Sequence, residues 1–340
     1  MLNVIDTMPR RLLDTPAEDL HKILDGPTLM HLQGRAREPL FVSVLLHGNE
    51  FSGWEAMRGF LQRYQDRDLP RSLSVFIGNV SAARYGLRHL DGQPDYNRVW
   101  SGSGTAEHRM MQAVVESMRG RDVFASIDLH NNTGKNPHYA CINRTDSRFI
   151  RLARMFSRVI VYFIRPDGVQ SKAFAGLCPA VTLECGQPGE ASGIEHAMEY
   201  LESCINMETL SDEPVNRDDV NIFHTIGIAR VKQGVTLGFH GEGCDADLVL
   251  SREIESMNMQ EIGPEHIIAE KVSTGFLPLT VTDESGNDVG SEYFSIRDGK
   301  LVNRRQIIPS MFTLNKDIII DDCLCYLMEH YRLTEQPQSA

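Results

Sequence analysis

Nowhere in this sequence is there an apolar run long enough to span a bilayer, and the opening residues, MLNVIDTMPRRLLDTP, hold no apolar core of signal-peptide length. A membrane-embedded or exported chain is therefore not expected, and the cytoplasm is the predicted compartment. Also lacking is any CxxC pair. The seven cysteines, Cys141, Cys178, Cys185, Cys204, Cys244, Cys323 and Cys325, are odd in number and scattered, which argues against a zinc ribbon or redox dithiol and for reduced thiols. Nor is there a basic excess: 34 Lys and Arg against 46 Asp and Glu give a net charge of -12, and no basic groove is visible, so nucleic acid is not an expected partner. A small anionic substrate is compatible with that acidity, because a few buried arginines can reverse the field locally. Low-complexity tracts are absent too, and a composition 41% hydrophobic and 24% charged is that of a chain that folds over most of its length.

What is present is an alternation of short apolar, β-rich runs with longer amphipathic stretches over residues 28–207, the pattern of an α/β sheet protein. FVSVLLH (41–47), LSVFIGN (73–79), FASIDLH (124–130), HYACIN (138–143), VIVYF (159–163) and AVTLEC (180–185) read as strands, several apolar enough to be buried on both faces. Between them, residues 53–64, 105–118, 147–158 and 190–207 repeat apolar positions three and four apart and predict amphipathic helices. In the last, Ile194, Ala197, Met198, Leu201 and Ile205 form one stripe for the core. After a polar stretch at 210–219 the texture changes to strand-like runs separated by turn residues. This predicts a catalytic α/β domain over residues 1–212 and a smaller β-rich part over 213–340, closed by a terminal helix in DIIIDDCLCYLMEHYRL. No repeat at a fixed period is evident.

Four local features carry chemistry. His47-Gly48-Asn49-Glu50 follows the strand FVSVLLH, and strand ends are where α/β proteins put their ligands. His130 ends a second strand, before the loop-forming Asn131, Asn132, Thr133 and Gly134. Together His47, Glu50 and His130 offer two imidazoles and a carboxylate, the ligand set of a catalytic zinc that keeps a position open. Asp128, two residues before His130 on the same strand face, either orients that imidazole or makes a plain structural hydrogen bond. Glu184 ends a third apolar strand, and reads either as a general base or as a cap for the next helix. Finally, the turn-rich segment from Asn79 to Trp100 carries three arginines: Asn97 and Arg98 form a natural clamp for a carboxylate, and Arg84 or Arg88 could stabilise an oxyanion.

These features, in this order, resemble the succinylglutamate desuccinylase/aspartoacylase family, a branch of the zinc carboxypeptidase superfamily. The family's H-G-N-E, N with R-Y-x-D and D-x-N-R, D-L-H-N-T-T and E-x-G read here as HGNE, NVSAARYGLRHLDGQPDYNR, DLHNNTG and ECG, over roughly residues 41–190. The resemblance implies one zinc per chain on His47, Glu50 and His130, with Glu184 activating the water. Arg88 would polarise the scissile carbonyl, and Asn97 and Arg98 would hold the substrate's free carboxylate. The implied fold is a mixed α/β sheet flanked by helices, with a β-rich C-terminal domain that narrows access. Asn132 stands where threonine is usual, Gly92, Gln93 and Pro94 lengthen the loop before DYNR, and ECGQPGE departs from the E-x-G-P-Q-P-Q-G run of aspartoacylase itself.

The activity this predicts is hydrolysis of an amide next to a free carboxylate in a small N-acylated amino acid. A metallocarboxypeptidase acting on short peptides would use the same groups, and whether the C-terminal part covers the cleft separates the two. A protein that binds zinc without turnover is a third reading. A nucleophilic Cys185 would be a different enzyme class, but on a strand it faces away from Glu184. His240, Glu242 and Cys244 could form a second metal site, although in their Gly-rich stretch they read more simply as a turn.

Overall fold

The structure, a computed structural model, describes residues 2–243 and 245–333. Its strands are β1 (Asn3–Ile5), β2 (Thr28–Leu32), β3 (Gly34–Val44), β4 (Leu69–Ile77), β5 (Ala125–His130), β6 (Tyr139–Ile142), β7 (Val159–Tyr162), β8 (Ala180–Glu184) and β9 (Asn221–Val231), followed by β10 (Leu237–Phe239), β11 (Leu248–Leu250), β12 (Ile267–Val272), β13 (Leu279–Asp283), β14 (Phe294–Arg297), β15 (Lys300–Asn303), β16 (Ile308–Ser310) and β17 (Cys325–His330). The helices are α1 (Ser52–Gln62), α2 (Val80–Ala83), α3 (Ala106–Arg119), α4 (Ser147–Phe156), α5 (Gln170–Phe174), α6 (Ala191–Asn206), α7 (Gly290–Tyr293) and α8 (Lys316–Asp321). Among the described residues no helix is long and apolar enough to cross a membrane.

A mixed sheet of twelve strands, among the described residues, runs in the order β1-β2-β4-β3-β5-β8-β6-β7-β9-β17-β16, with β13 paired to β9. Its middle is parallel, β4, β3, β5 and β8 lying side by side, while β2 and β6 join antiparallel. The parallel strands are covered on both faces, which is why Leu40 to Val44, Ala125 to His130 and Ala180 to Glu184 are unbroken buried runs. The helices turn their apolar stripes inward: in α6, Ala197, Leu201 and Ile205 are buried, and Ile194 and Met198 are half-buried against the same core. A five-stranded sheet, β10-β11-β12-β15-β14, lies apart from the main one and packs on a second core.

The segment DIIIDDCLCYLMEHYRL, expected as one helix, is instead the short helix α8 and the strand β17. Asn315 caps α8 by accepting from the Asp317 and Ile318 amides, and the helix stops at Asp321 and Asp322. From Cys325 the chain pairs antiparallel with β9, burying Cys325 and Leu327 on one side. Its apolar residues satisfy both periods, and the open edge of β9 decides between them. The chain after residue 212 thus adds strands to the main sheet as well as forming the smaller one.

Candidate metal centre and active site

β3, β5 and β8 are neighbours in the sheet, and their carboxyl ends deliver His47, His130 and Glu184 to one place. Past β3, Leu45 takes a φ of 55°, a conformation that leucine adopts only under constraint, and the chain turns out of the sheet toward His47. Gly48 then packs against α2: a Cβ there would lie 2.2 Å from the Ala83 nitrogen and 2.4 Å from the Ala82 carbonyl carbon. The Gly48 N–H donates to the Arg88 carbonyl at 3.1 Å, which ties the His47 turn to the arginine-bearing loop.

His47 and His130 present Nδ1 to opposite oxygens of Glu50, each at 2.7 Å, with their ring centroids 4.9 Å apart. One ligand atom from each of the three residues lies within 4.8 Å of the other two, and all three side chains are buried. The outer nitrogens are also held: His130 Nε2 lies 2.9 Å from Asp128 Oδ2, and His47 Nε2 lies 3.0 Å from Asp95 Oδ1. Asp128 is itself fixed by the Ser43 hydroxyl, which donates at 2.7 Å. Glu50 Oε2 accepts a further bond from the Asn131 N–H at 3.1 Å.

This donor set fits a divalent cation. A neutral imidazole has one N–H, yet both nitrogens of each ring face carboxylate oxygens, so one nitrogen per ring needs an added proton or a metal. Carboxylates on the outer nitrogens are the usual supports of metal-bound histidines. Four carboxylates, Glu50, Asp95, Asp128 and Asp322, and two guanidinium groups, Arg88 and Arg98, form one network with the two histidines, leaving two negative charges for a cation to balance. Electrostatics agree: burial raises the Glu50 carboxyl, but the two histidines outweigh it and hold it well below the usual range. Burial lowers His130, but Asp128 and Glu50 carry it well above its ordinary value.

Glu184 differs from its neighbours. Burial pushes its carboxyl up to about 7, with His130 opposing and Glu50 reinforcing the shift, and its Oε2 has no hydrogen-bond partner. A buried, unpartnered carboxyl poised near neutrality beside a metal ligand set has the properties of a general base.

The arginines divide. Arg84 is exposed and lies over the Tyr85 ring, away from the site. Arg88 grips Asp95 through Nε and Nη2 at 3.1 and 2.9 Å, while Nη1 approaches Glu50 to 3.8 Å. Arg98 meets Asp322 at 2.9 Å. Both ends of the Asn97 amide are engaged: Nδ2 lies 3.1 Å from His130 Nε2, and Oδ1 accepts from the Gln170 N–H at 2.9 Å. His47, Glu50, Arg88, Asn97, Arg98, His130, Glu184 and Asp322 line a cavity of about 110 Å³, together with Ser310, Met311, Ile318, Cys323 and Tyr326 from the C-terminal part.

Asp95 and Asp322 were not legible as site residues. Asp95 lies two positions before Asn97 in DYNR, a signal available in the motif; Asp322 stands 224 residues from its partner Arg98, and nothing local marks it. Cys185 is fully buried in the core, and burial with the Glu184 charge holds its thiol protonated, so it is not a nucleophile. Glu242 is exposed and ion-paired to Lys316 at 2.7 Å, His240 is exposed, and Cys244 lies outside the described residues.

Comparison with known proteins agrees with this geometry. The family model of the succinylglutamate desuccinylase/aspartoacylase catalytic domain matches residues 38–202. The fold is similar to that of succinylglutamate desuccinylase from Vibrio cholerae, with a TM-score of 0.60 at 13% identity over 98% of this chain and 97% of that one. It is similar also to a succinylglutamate desuccinylase/aspartoacylase from Rhodobacter sphaeroides, with a TM-score of 0.58 at 13% identity over 89% of both chains. Murine aminoacylase 3 superposes with a TM-score of 0.54 at 14% identity over 88% of this chain and 97% of that one. No curated protein matches the sequence itself. At such identities the structural likeness speaks for the fold, while the family match, over the residues that carry HGNE, DYNR, DLH and ECG, speaks for the lineage: residues 38–202 belong to the succinylglutamate desuccinylase/aspartoacylase family.

Proposed function

We propose that this chain is a metal-dependent hydrolase that cleaves the amide bond of a small N-acyl amino acid. The observation that carries the reading is Glu184: a buried carboxyl, raised to about 7 and with an unpartnered oxygen, directly across the strand pair from His130. Zinc suits two imidazoles and a carboxylate, and on His47, Glu50 and His130 it would supply Lewis-acid polarisation of the reacting oxygens. Glu184 accepts the proton of the attacking water and returns it to the departing nitrogen. Arg88, whose Nη1 points toward Glu50, donates to the carbonyl oxygen as negative charge develops there. Arg98 receives the substrate carboxylate, and Asn97 lies beside it on the cavity wall. Asp128 and Asp95 hold the outer histidine nitrogens, and so keep the ligand set in place.

The small size of the cavity favours an acylated amino acid over a peptide. At about 110 Å³ it has room for on the order of ten water-sized groups, the scale of a small acylated amino acid. Part of its wall comes from the chain after residue 212, which we propose acts as a cover for the 1–212 catalytic part. The test is a panel of N-acyl amino acids and short peptides with free C-termini, assayed with zinc and with chelator. Chelator-sensitive release from the acylated amino acids is expected. Release of C-terminal residues alone would establish a carboxypeptidase, and binding without turnover on any member would leave a zinc-retaining binding protein.

A further inference from the structure

Asp322 has no role in the proposed reaction, yet it sits among the groups that perform it. It lies just past α8, and its backbone is anchored by Arg230, whose Nε donates to the Asp322 carbonyl at 3.0 Å. Its side chain is nearly buried. Oδ1 accepts from Arg98 Nη2 at 2.9 Å and Oδ2 from Arg88 Nη2 at 3.2 Å, so a single carboxylate spans both guanidinium groups. Among the described residues, Arg88 and Arg98 are the only arginines or lysines lining the cavity.

Both cations therefore already face an anion, and Arg88 faces two, Asp95 and Asp322. The charge of a bound divalent ion is likewise matched by the two remaining carboxylates, Glu50 and Asp128. A substrate carboxylate can still share Arg98 with Asp322, because a guanidinium carries five donors. A second carboxylate would find none of this. The acidic wall consists of Glu50, Glu184 and Asp322, and the rest includes Cys141, Val161, Phe163, Val169, Met311 and Ile318. An anion pressed into such a wall loses its water and meets no cation that is not already paired, with only neutral groups such as Thr133, Tyr139 and Tyr326 to receive it, whereas an alkyl chain buries apolar surface there.

We propose that the site selects a substrate with one carboxylate and an uncharged, apolar acyl group, and that Asp322 sets this selection by neutralising Arg88 and Arg98 against a second anion. The inference rests on the deacylase reading and narrows it to a substrate class. Asp322 is a specificity-determining residue here, not a catalytic one. Its removal frees Arg98 and leaves Arg88 hydrogen-bonded to Asp95 alone, and an acyl carboxylate becomes acceptable.

The experiment measures kcat and KM for N-acetyl-, N-butyryl- and N-succinyl-leucine with the full-length, zinc-loaded chain, the leucine adding no charge of its own. The acetyl and butyryl compounds should exceed the succinyl compound in kcat/KM by about tenfold or more, as expected for an anion buried without a cationic partner. Asp322→Asn should close the gap by lowering KM for the succinyl compound, and Asp322→Glu should restore it. Preference for the succinyl compound in the unaltered chain would overturn the proposal, as would an unchanged gap in a folded Asp322→Asn variant. If Asp322→Asn does not fold, the comparison in the unaltered chain decides. Should no compound turn over, the deacylase reading fails by itself, and calorimetric binding of the same three compounds decides this one: tighter binding of acetyl- and butyryl-leucine supports it, and tighter succinyl binding or no binding overturns it.

Discussion

His130 and Glu184 stand opposite one another, in register on the parallel strands β5 and β8. The register joins a member of the His47-Glu50-His130 cluster to a buried carboxyl without any loop having to fold correctly, since the hydrogen-bonded sheet fixes their separation. Sites carried on strands are held more tightly than sites on loops.

The first consequence concerns turnover. Glu184→Gln should retain one zinc per chain and lose activity by about a hundredfold to ten-thousandfold, the range of a positioned general base. In the unaltered enzyme kcat/KM should rise with pH along an acid limb at about 7 or lower, lower because a bound cation favours the carboxylate. Metal analysis and a pH profile on the same preparations check both outcomes.

Glu184 should also cost stability in the metal-free chain. Its folded value, about 7, lies above the ordinary 4.5. Below 4.5 it is protonated whether folded or not, and nothing is lost; between 4.5 and 7 the penalty grows, and above 7 it is complete, on the order of 3 kcal/mol. Glu184→Gln should therefore melt higher than the unaltered chain at pH 8, with the difference closing toward pH 4.5. A difference that grew as pH fell would refute the burial argument.

Asp128→Asn should weaken metal binding by about ten- to a hundredfold, because it removes the charged acceptor that orients His130. Competition with a fluorescent chelator gives the affinity, and an unchanged value would make Asp128 a purely structural partner of Ser43.

Gly48→Ala should be damaging out of proportion to one methyl group. The new carbon meets backbone atoms of Ala82 and Ala83, which cannot rotate away, so the HGNE turn must shift. A stability loss of about 1–3 kcal/mol is expected, together with weaker zinc binding. Denaturant titration and metal competition measure the two effects.

Much of this arrangement was legible in the sequence because it is local. The strands leading to His47, His130 and Glu184 are unbroken apolar runs, and the helices of residues 52–62, 106–119, 147–156 and 191–206 show their stripes plainly. The short strands β1 and β2 were missed, since Asn3–Ile5 is too brief for a period and Thr28–Leu32 has polar neighbours. The helix expected at the C-terminus failed for a tertiary reason, the edge of β9 capturing Cys325–His330. Asp322 was invisible for a similar reason: its partners Arg88 and Arg98 are brought to it by sheet topology, which no window of sequence contains.

The most direct test of the central claim is a zinc titration of chelator-stripped protein, with hydrolysis of an N-acyl amino acid followed in the same samples. Activity should be absent at the start, rise in proportion to zinc, and level off at one ion per chain, with His47→Ala and His130→Ala failing to respond. Full activity in the stripped protein, or an undiminished response in both histidine variants, would contradict the account.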